Sequence, residues 1–237
     1  MALNNWERFA RGLPRPAEHL RLLAAQPRRL EILLAVFAGS QYLSDALIRS
    51  PEVFEWATGP AHLLRMRSTE EMRRELDFAA SDEDWRRELR RNKNRELVRL
   101  GIRDICLGVS IEEIMAELSS LAEAVIQVEL ARCLRRLEGP AFPGEFCLVA
   151  FGKLGGRELN YSSDIDLLAL VDQPLAAEEQ RAVRSLMGEL REDLSGHTEE
   201  GYVYRVDLRL RPFGRSGELV SSLEGLSRYY RSQAALW

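Results

Sequence analysis

Asp164 and Asp166 stand two residues apart, and a third aspartate, Asp207, sits inside the apolar string Val206-Asp207-Leu208. Side chains on a strand alternate with period two, so the first pair projects from one face and can grip a single cation. A carboxylate buried in an apolar strand is costly unless a cation or hydrogen bonds compensate. Three such carboxylates point to a hard metal. Magnesium takes oxygen ligands in an octahedral array, and two ions about 3.5–4 Å apart can stabilise both the attacking and the leaving oxygen of a phosphoryl transfer. An Asp-x-Asp also serves as a turn or a strand-end cap. The preceding Gly152-Lys153-Leu154-Gly155-Gly156 favours chemistry, because glycine lets backbone amides approach a phosphate without a Cβ in the way. Lys153 is followed by Leu154, so the run is not a Walker A loop, and a P-loop kinase or GTPase is excluded.

Other polar residues surround this set. Ser162 and Ser163 either contact phosphate oxygens or cap the strand entrance. Arg205, Arg209 and Arg211 flank Asp207 and fall on its side if the strand is regular. They either neutralise phosphate charge or pair with the aspartates themselves. His19, His62 and His197 lie in unrelated contexts, with no HExxH and no nucleophile elbow, and read as structural or surface residues.

The elements that must hold the aspartates in place follow from periodicity. Up to about Glu138 the pattern is helical, with capping boxes at Ser68-Thr69-Glu70-Glu71 and Ser110-Ile111-Glu112-Glu113. Helices are expected near 69–79, 82–106 and 110–138. The helix of 82–106 has Trp85, Leu89, Leu97, Leu100 and Ile105 on its buried side, and that of 110–138 carries a wide apolar stripe. The Gly139–Gly144 segment, with its prolines and glycines, ends the helices in a turn. Strands buried on both faces are expected at Phe146–Phe151 and Ile165–Val171, and a third, alternating strand at Tyr202–Leu210. A helix over Ala176–Leu194 lies between the last two, and Ser221-Ser222-Leu223-Glu224 caps another that runs to Trp237. The fold class expected is therefore α+β: a helical region over 1–108, then a core over 109–237, cut short at its C-terminal end, with a small mixed sheet flanked by helices.

Composition sets the outer limits. The chain has 237 residues, 46% of them hydrophobic, enough for an ordinary buried core. No apolar run approaches the roughly 20 residues of a membrane-spanning helix, and the N-terminus lacks a signal-peptide stretch, so a cytoplasmic protein with no membrane partner is expected. Cys106, Cys133 and Cys147 are far apart, with no CxxC, and read as reduced and mostly buried. The net charge of −4 argues against nucleic acid as a partner. The one basic run, Arg86–Arg103, carries eight Arg or Lys against two Glu and reads as a solvated helix face before a phosphate-binding one.

Gly155-Gly156, Asp164-Ile165-Asp166 and Asp207 together resemble the signature of the DNA-polymerase-β-like nucleotidyltransferases. The longer strings FGKLGGRELNYSSDIDLLAL and YRVDLRLRPFGRSGELVSSLEGLSRYY resemble the glutamine synthetase adenylyltransferase family, from about Gln41 to Trp237. The segments LSDALIRSPEVFEW and GYVYRVDLRLRPFG are more similar to that family's N-terminal, adenylyl-removing half. The resemblance implies removal of AMP from an adenylylated tyrosine of glutamine synthetase by phosphorolysis, giving ADP. The alternatives are adenylyl transfer from ATP to the same protein, or a docking module without turnover. It further implies metal ligation, by two Mg2+ ions, at Asp164, Asp166 and Asp207. Gly152, Lys153, Gly155, Gly156 and Ser163 would line the phosphate side, and Arg209 or Arg211 would bind the incoming phosphate. Adenine nucleotide, phosphate and glutamine synthetase are the implied partners, with the PII signalling protein as a partner of the full-length family enzymes.

Overall fold

The structure is a computed structural model and describes residues 1–76, 82–137 and 145–233. Its first part is helical: α1 (Ala2–Gly12), α2 (Pro16–Ala24), α3 (Pro27–Gly39), α4 (Gln41–Arg49), α5 (Glu52–Ala57), α6 (Pro60–Leu63) and α7 (Thr69–Leu76). Proline opens α2, α3 and α6, where its missing N–H has no helical partner to lose. The capping box at Ser68 forms in full, with Glu71 N–H donating to Ser68 Oγ and Ser68 N–H donating to the Glu71 carboxylate. Two long helices follow, α8 (Asp82–Leu107) and α9 (Ile111–Arg136), joined through Gly108 at φ +62°. The Gly139–Gly144 turn and the ends expected for helices at 77–79 and 138 fall outside the described residues.

The chain then builds β1 (Phe146–Phe151), the short helix α10 (Gly152–Gly155), β2 (Ile165–Val171), α11 (Ala177–Ser195), β3 (Val206–Asp207), β4 (Val220–Ser222) and α12 (Leu223–Ser232). The sheet is mixed. β2 is central, antiparallel to β1, and its other edge pairs in parallel with β3 at its start and with β4 at its end. The α+β architecture expected from periodicity is the one observed.

Apolar residues collect in two clusters. One joins Phe9, Leu33, Phe37, Leu47 and Phe54 to Val98 and Ile102 of α8. The other takes Trp85, Leu89, Leu97 and Leu100 of the same helix and packs them with α9, α11 and the sheet. α8 therefore has a neighbour on nearly every side. At Gly101 a Cβ would lie 2.2 Å from Leu43 Cδ1, so this glycine lets α4 approach closely.

This placement overturns the solvated-face reading of Arg86–Arg103. Arg90, Lys93, Arg99 and Arg103 are all buried. Arg99 donates to Glu96 at 2.7 Å and to Glu117, Arg103 Nε lies 3.3 Å from Glu117, and Arg67 reaches Glu96 with its side chain and Glu117 with its backbone N–H. Arg99 and Arg103 meet Glu117 and Glu113 in reverse order, so α8 and α9 run antiparallel. Buried charges survive when each has an opposite charge against it, and this ladder supplies one to every member, although Arg67 Nε, Arg103 Nε and Glu117 Oε2 make no hydrogen bond.

Several smaller expectations also fail. α9 is buried almost all round and not along one stripe, while Ile105, assigned to the buried side, is 40% exposed. β1 is a half-covered edge strand, not one buried on both faces, and it leaves Cys147 exposed; only Cys133 of the three free cysteines is fully buried. The strand expected over Tyr202–Leu210 shrinks to Val206–Asp207. Val203 and Tyr204 both donate their N–H groups to Leu194 O at the end of α11, which removes them from any ladder. Beyond Asp207 the Arg211 guanidinium binds the carbonyls of Leu208, Gly217 and Arg215 and folds the chain into a loop. β4 was not foreseen; it occupies Ser221 and Ser222, so α12 is capped one residue later than expected, by Ser222 Oγ accepting from Gly225 N–H. The end of that helix near Trp237 lies outside the described residues.

Candidate active site

Asp166 and Asp207 are partners in the parallel register of β2 and β3. Paired residues on neighbouring strands direct their side chains to the same face, so the two carboxylates stand side by side. Asp164 precedes β2 by one residue and is half-exposed. Burial pushes the Asp166 carboxyl above its ordinary range, and the charges of Asp207 and then Asp164 push it further. Asp207 moves the opposite way: the Arg209 side chain and backbone N–H both donate to it and hold its carboxyl low.

Gly152 explains how Asp166 finds room. It sits at φ +56°, and a Cβ there would lie 2.6 Å from Asp166 Oδ2. Gly155 is equally constrained, since a Cβ would lie 2.5 Å from the Ala150 carbonyl oxygen. The glycine run is a single helical turn, with Gly156 N–H donating to Gly152 O. Lys153 is exposed on that turn. Ser163 Oγ donates to Asn160 Oδ1 at 2.7 Å and accepts from Asn160 N–H, so its hydroxyl secures the loop that leads into Asp164.

Arg205 and Arg209 are engaged with the aspartates. Arg205 Nε donates to Asp164 at 2.5 Å, and Arg209 Nε donates to Asp207 at 2.7 Å. Arg211 serves the loop backbone instead. Among the described residues, the His, Cys and acidic side chains whose ligand atoms all lie within 4.8 Å of one another are Glu129, Cys133 and Asp193, and not the three aspartates. Asp164 is held by Arg205 and Asp207 by Arg209. The donor set of three oxygen acids beside a cradle that a Cβ would fill nevertheless fits a hard divalent ion.

The basic run hides one residue that positions this site. Arg90 donates to the carbonyls of Asp193, Gly196 and Gly201, pinning the C-terminus of α11 and the loop that leads to β3. A cation among helix-end carbonyls satisfies acceptors the helix cannot. The signal for the buried ladder was present: Arg99 and Arg103, then Glu113 and Glu117, are pairs of equal four-residue spacing on helices joined by a short turn.

A central strand entered through two acids, a third acid in register on a parallel neighbour, and a glycine turn against them make up a nucleotidyltransferase-type core. The chain belongs to the glutamate-ammonia ligase adenylyltransferase family, whose model matches residues 30–237. It is 35% identical to a protein of Shewanella oneidensis over 91% of this chain and 24% of the relative, and 34% identical to one of Nitrosococcus oceani over 89% and 24%. A protein of Brucella suis is 31% identical over 100% of this chain and 26% of its own length. All three are called bifunctional glutamine synthetase adenylyltransferase/adenylyl-removing enzyme. The chain thus spans about a quarter of the curated relatives it matches. Among the described residues, no helix is long and apolar enough to cross a membrane.

Proposed function

We propose that this chain carries the adenylyl-removing activity, a phosphorolysis that frees a tyrosine of glutamine synthetase from AMP. The observation that carries the reading is the side-by-side placement of Asp166 and Asp207 with Gly152 making space beneath. Inorganic phosphate attacks the AMP phosphorus, a new P–O bond forms, and the bond to the tyrosine oxygen breaks. The electron pair leaves on that oxygen, which takes up a proton, and the products are tyrosine and ADP. Asp164, Asp166 and Asp207 would hold two Mg2+ ions, which supply charge neutralisation at the entering and leaving oxygens. Arg209, the more exposed partner of its ion pair, is suited to meet the incoming phosphate once it releases Asp207, and Lys153 lies on the adjacent turn. Asp166 must be ionised to bind a cation, so its raised carboxyl makes metal affinity fall as pH drops through that value.

The relatives' shared name includes the opposite activity, adenylyl transfer, which uses the same kind of acidic site. Incubating adenylylated glutamine synthetase with the chain, phosphate and magnesium is expected to release ADP, and Asp166→Asn to reduce release to background. Labelling of unmodified glutamine synthetase from ATP would assign the transfer direction instead. Binding without either product would reduce the chain to a docking module.

A further inference from the structure

A cavity of about 720 Å³ lies between the helical region and the sheet, outside the acidic site. Lys93 of α8 lines it, together with Tyr42, Asn94, Tyr161 and Tyr202, and His197 stands at its exposed mouth. Lys93 is 6% exposed, what remains exposed faces the cavity, and among the described residues no ion pair or hydrogen bond holds its ammonium. It lies instead over two rings, 5.7 Å from the centroid of Tyr202 and 5.1 Å from that of Tyr204. Cation–π contact alone returns less to a largely desolvated ammonium than an anionic partner does. The acids nearby are committed or peripheral. Asp104 accepts from Tyr161 Oη, Glu200 pairs with Arg91, and Glu199 is exposed at the mouth. A second orphan adjoins: the Tyr204 hydroxyl is buried and has no partner.

We propose that this cavity is a binding site for a small organic anion, with its charged group on Lys93 and its body against the tyrosine walls. The volume falls in the range of small-molecule sites and far exceeds what a bare inorganic anion fills. Burial pushes the Lys93 ammonium down to about 8, and a bound anion reverses that shift. The site adjoins the acidic one: Tyr202 and Tyr204 precede β3 by a few residues, and Arg205 donates both to the Ser162 carbonyl of the cavity wall and to Asp164.

The test exploits composition, for the chain has only two lysines, Lys93 and Lys153. With lysine carrying 13C at Cε, both signals are followed by NMR while the whole chain is titrated with benzoate, with phenyl phosphate and with neutral benzyl alcohol. A saturable shift of the Lys93 signal with either anion, a raised Lys93 titration midpoint and no response to benzyl alcohol are expected. The responding anion tells a carboxylate site from a phosphoester site. In calorimetry, Lys93→Met is expected to weaken that anion at least tenfold. A Lys93 signal unmoved by both anions, or movement of Lys153 alone, overturns the proposal even if Lys93→Met does not fold. Because Lys153 reports on the acidic site, failure here leaves the adenylyl-removing reading to its own assay.

Discussion

At the scale of single residues, the acidic site depends on a missing methyl group. Gly152→Ala would place a Cβ 2.6 Å from Asp166 Oδ2 and force a left-handed backbone on a side chain, costing about 1–2 kcal/mol. Displacing a supported ligand typically weakens a metal site about 10–100-fold. Calorimetric titration with Mg2+ is expected to register that loss while the circular dichroism of the fold is unchanged; undiminished affinity would show that Asp166 does not need this space. Asp164 and Asp166 stood out in the sequence through their two-residue spacing, and Asp207 as a carboxylate in an apolar string. Gly152 was legible as important but for a different reason, since contact with a carboxylate from β2 is a tertiary fact. The roles of Arg205, Arg209 and Arg211 were not legible beyond a pair of alternatives. They hinge on Val203 and Tyr204 giving their amides to Leu194, which no local pattern announces.

At the scale of elements, α8 and α9 are fastened by charge as well as by packing. Glu117 is fully buried and receives Arg99, Arg103 and the Arg67 backbone N–H. Glu117→Ala leaves buried guanidinium groups without their counter-charge, which costs about 3–5 kcal/mol. For a chain of this size the midpoint of thermal unfolding is expected to fall by roughly 6–20 °C. A scan showing a change of a degree or less would mean that solvent already screens the ladder. The boundaries of α8, α9, β1, β2 and α11 were readable from period and caps to within a few residues. The burial of the basic run was not, because eight cations in one helix resemble a wetted surface until the facing glutamates on the next helix are counted.

At the scale of the whole molecule, pH acts through the seam where α8, α9 and α11 meet. Glu129 accepts from the Trp85 indole N–H at 2.6 Å, and burial holds its carboxyl well above the usual range, with Asp193 adding to the shift. The folded chain keeps a proton there that the unfolded chain releases. Its contribution to stability is full below the ordinary glutamate value, about 4.3, and declines as pH rises through the raised folded value. Denaturant midpoints measured across that interval are expected to flatten in Glu129→Gln; a slope identical to that of the parent chain would exclude this residue as the source. The helical region and the sheet also share α8 as a common wall, with alternate faces turned to each. Neither half can loosen alone without withdrawing support from the other, so damage far from the aspartates, at Leu43 or Phe37, would be felt at the acidic site as lost alignment.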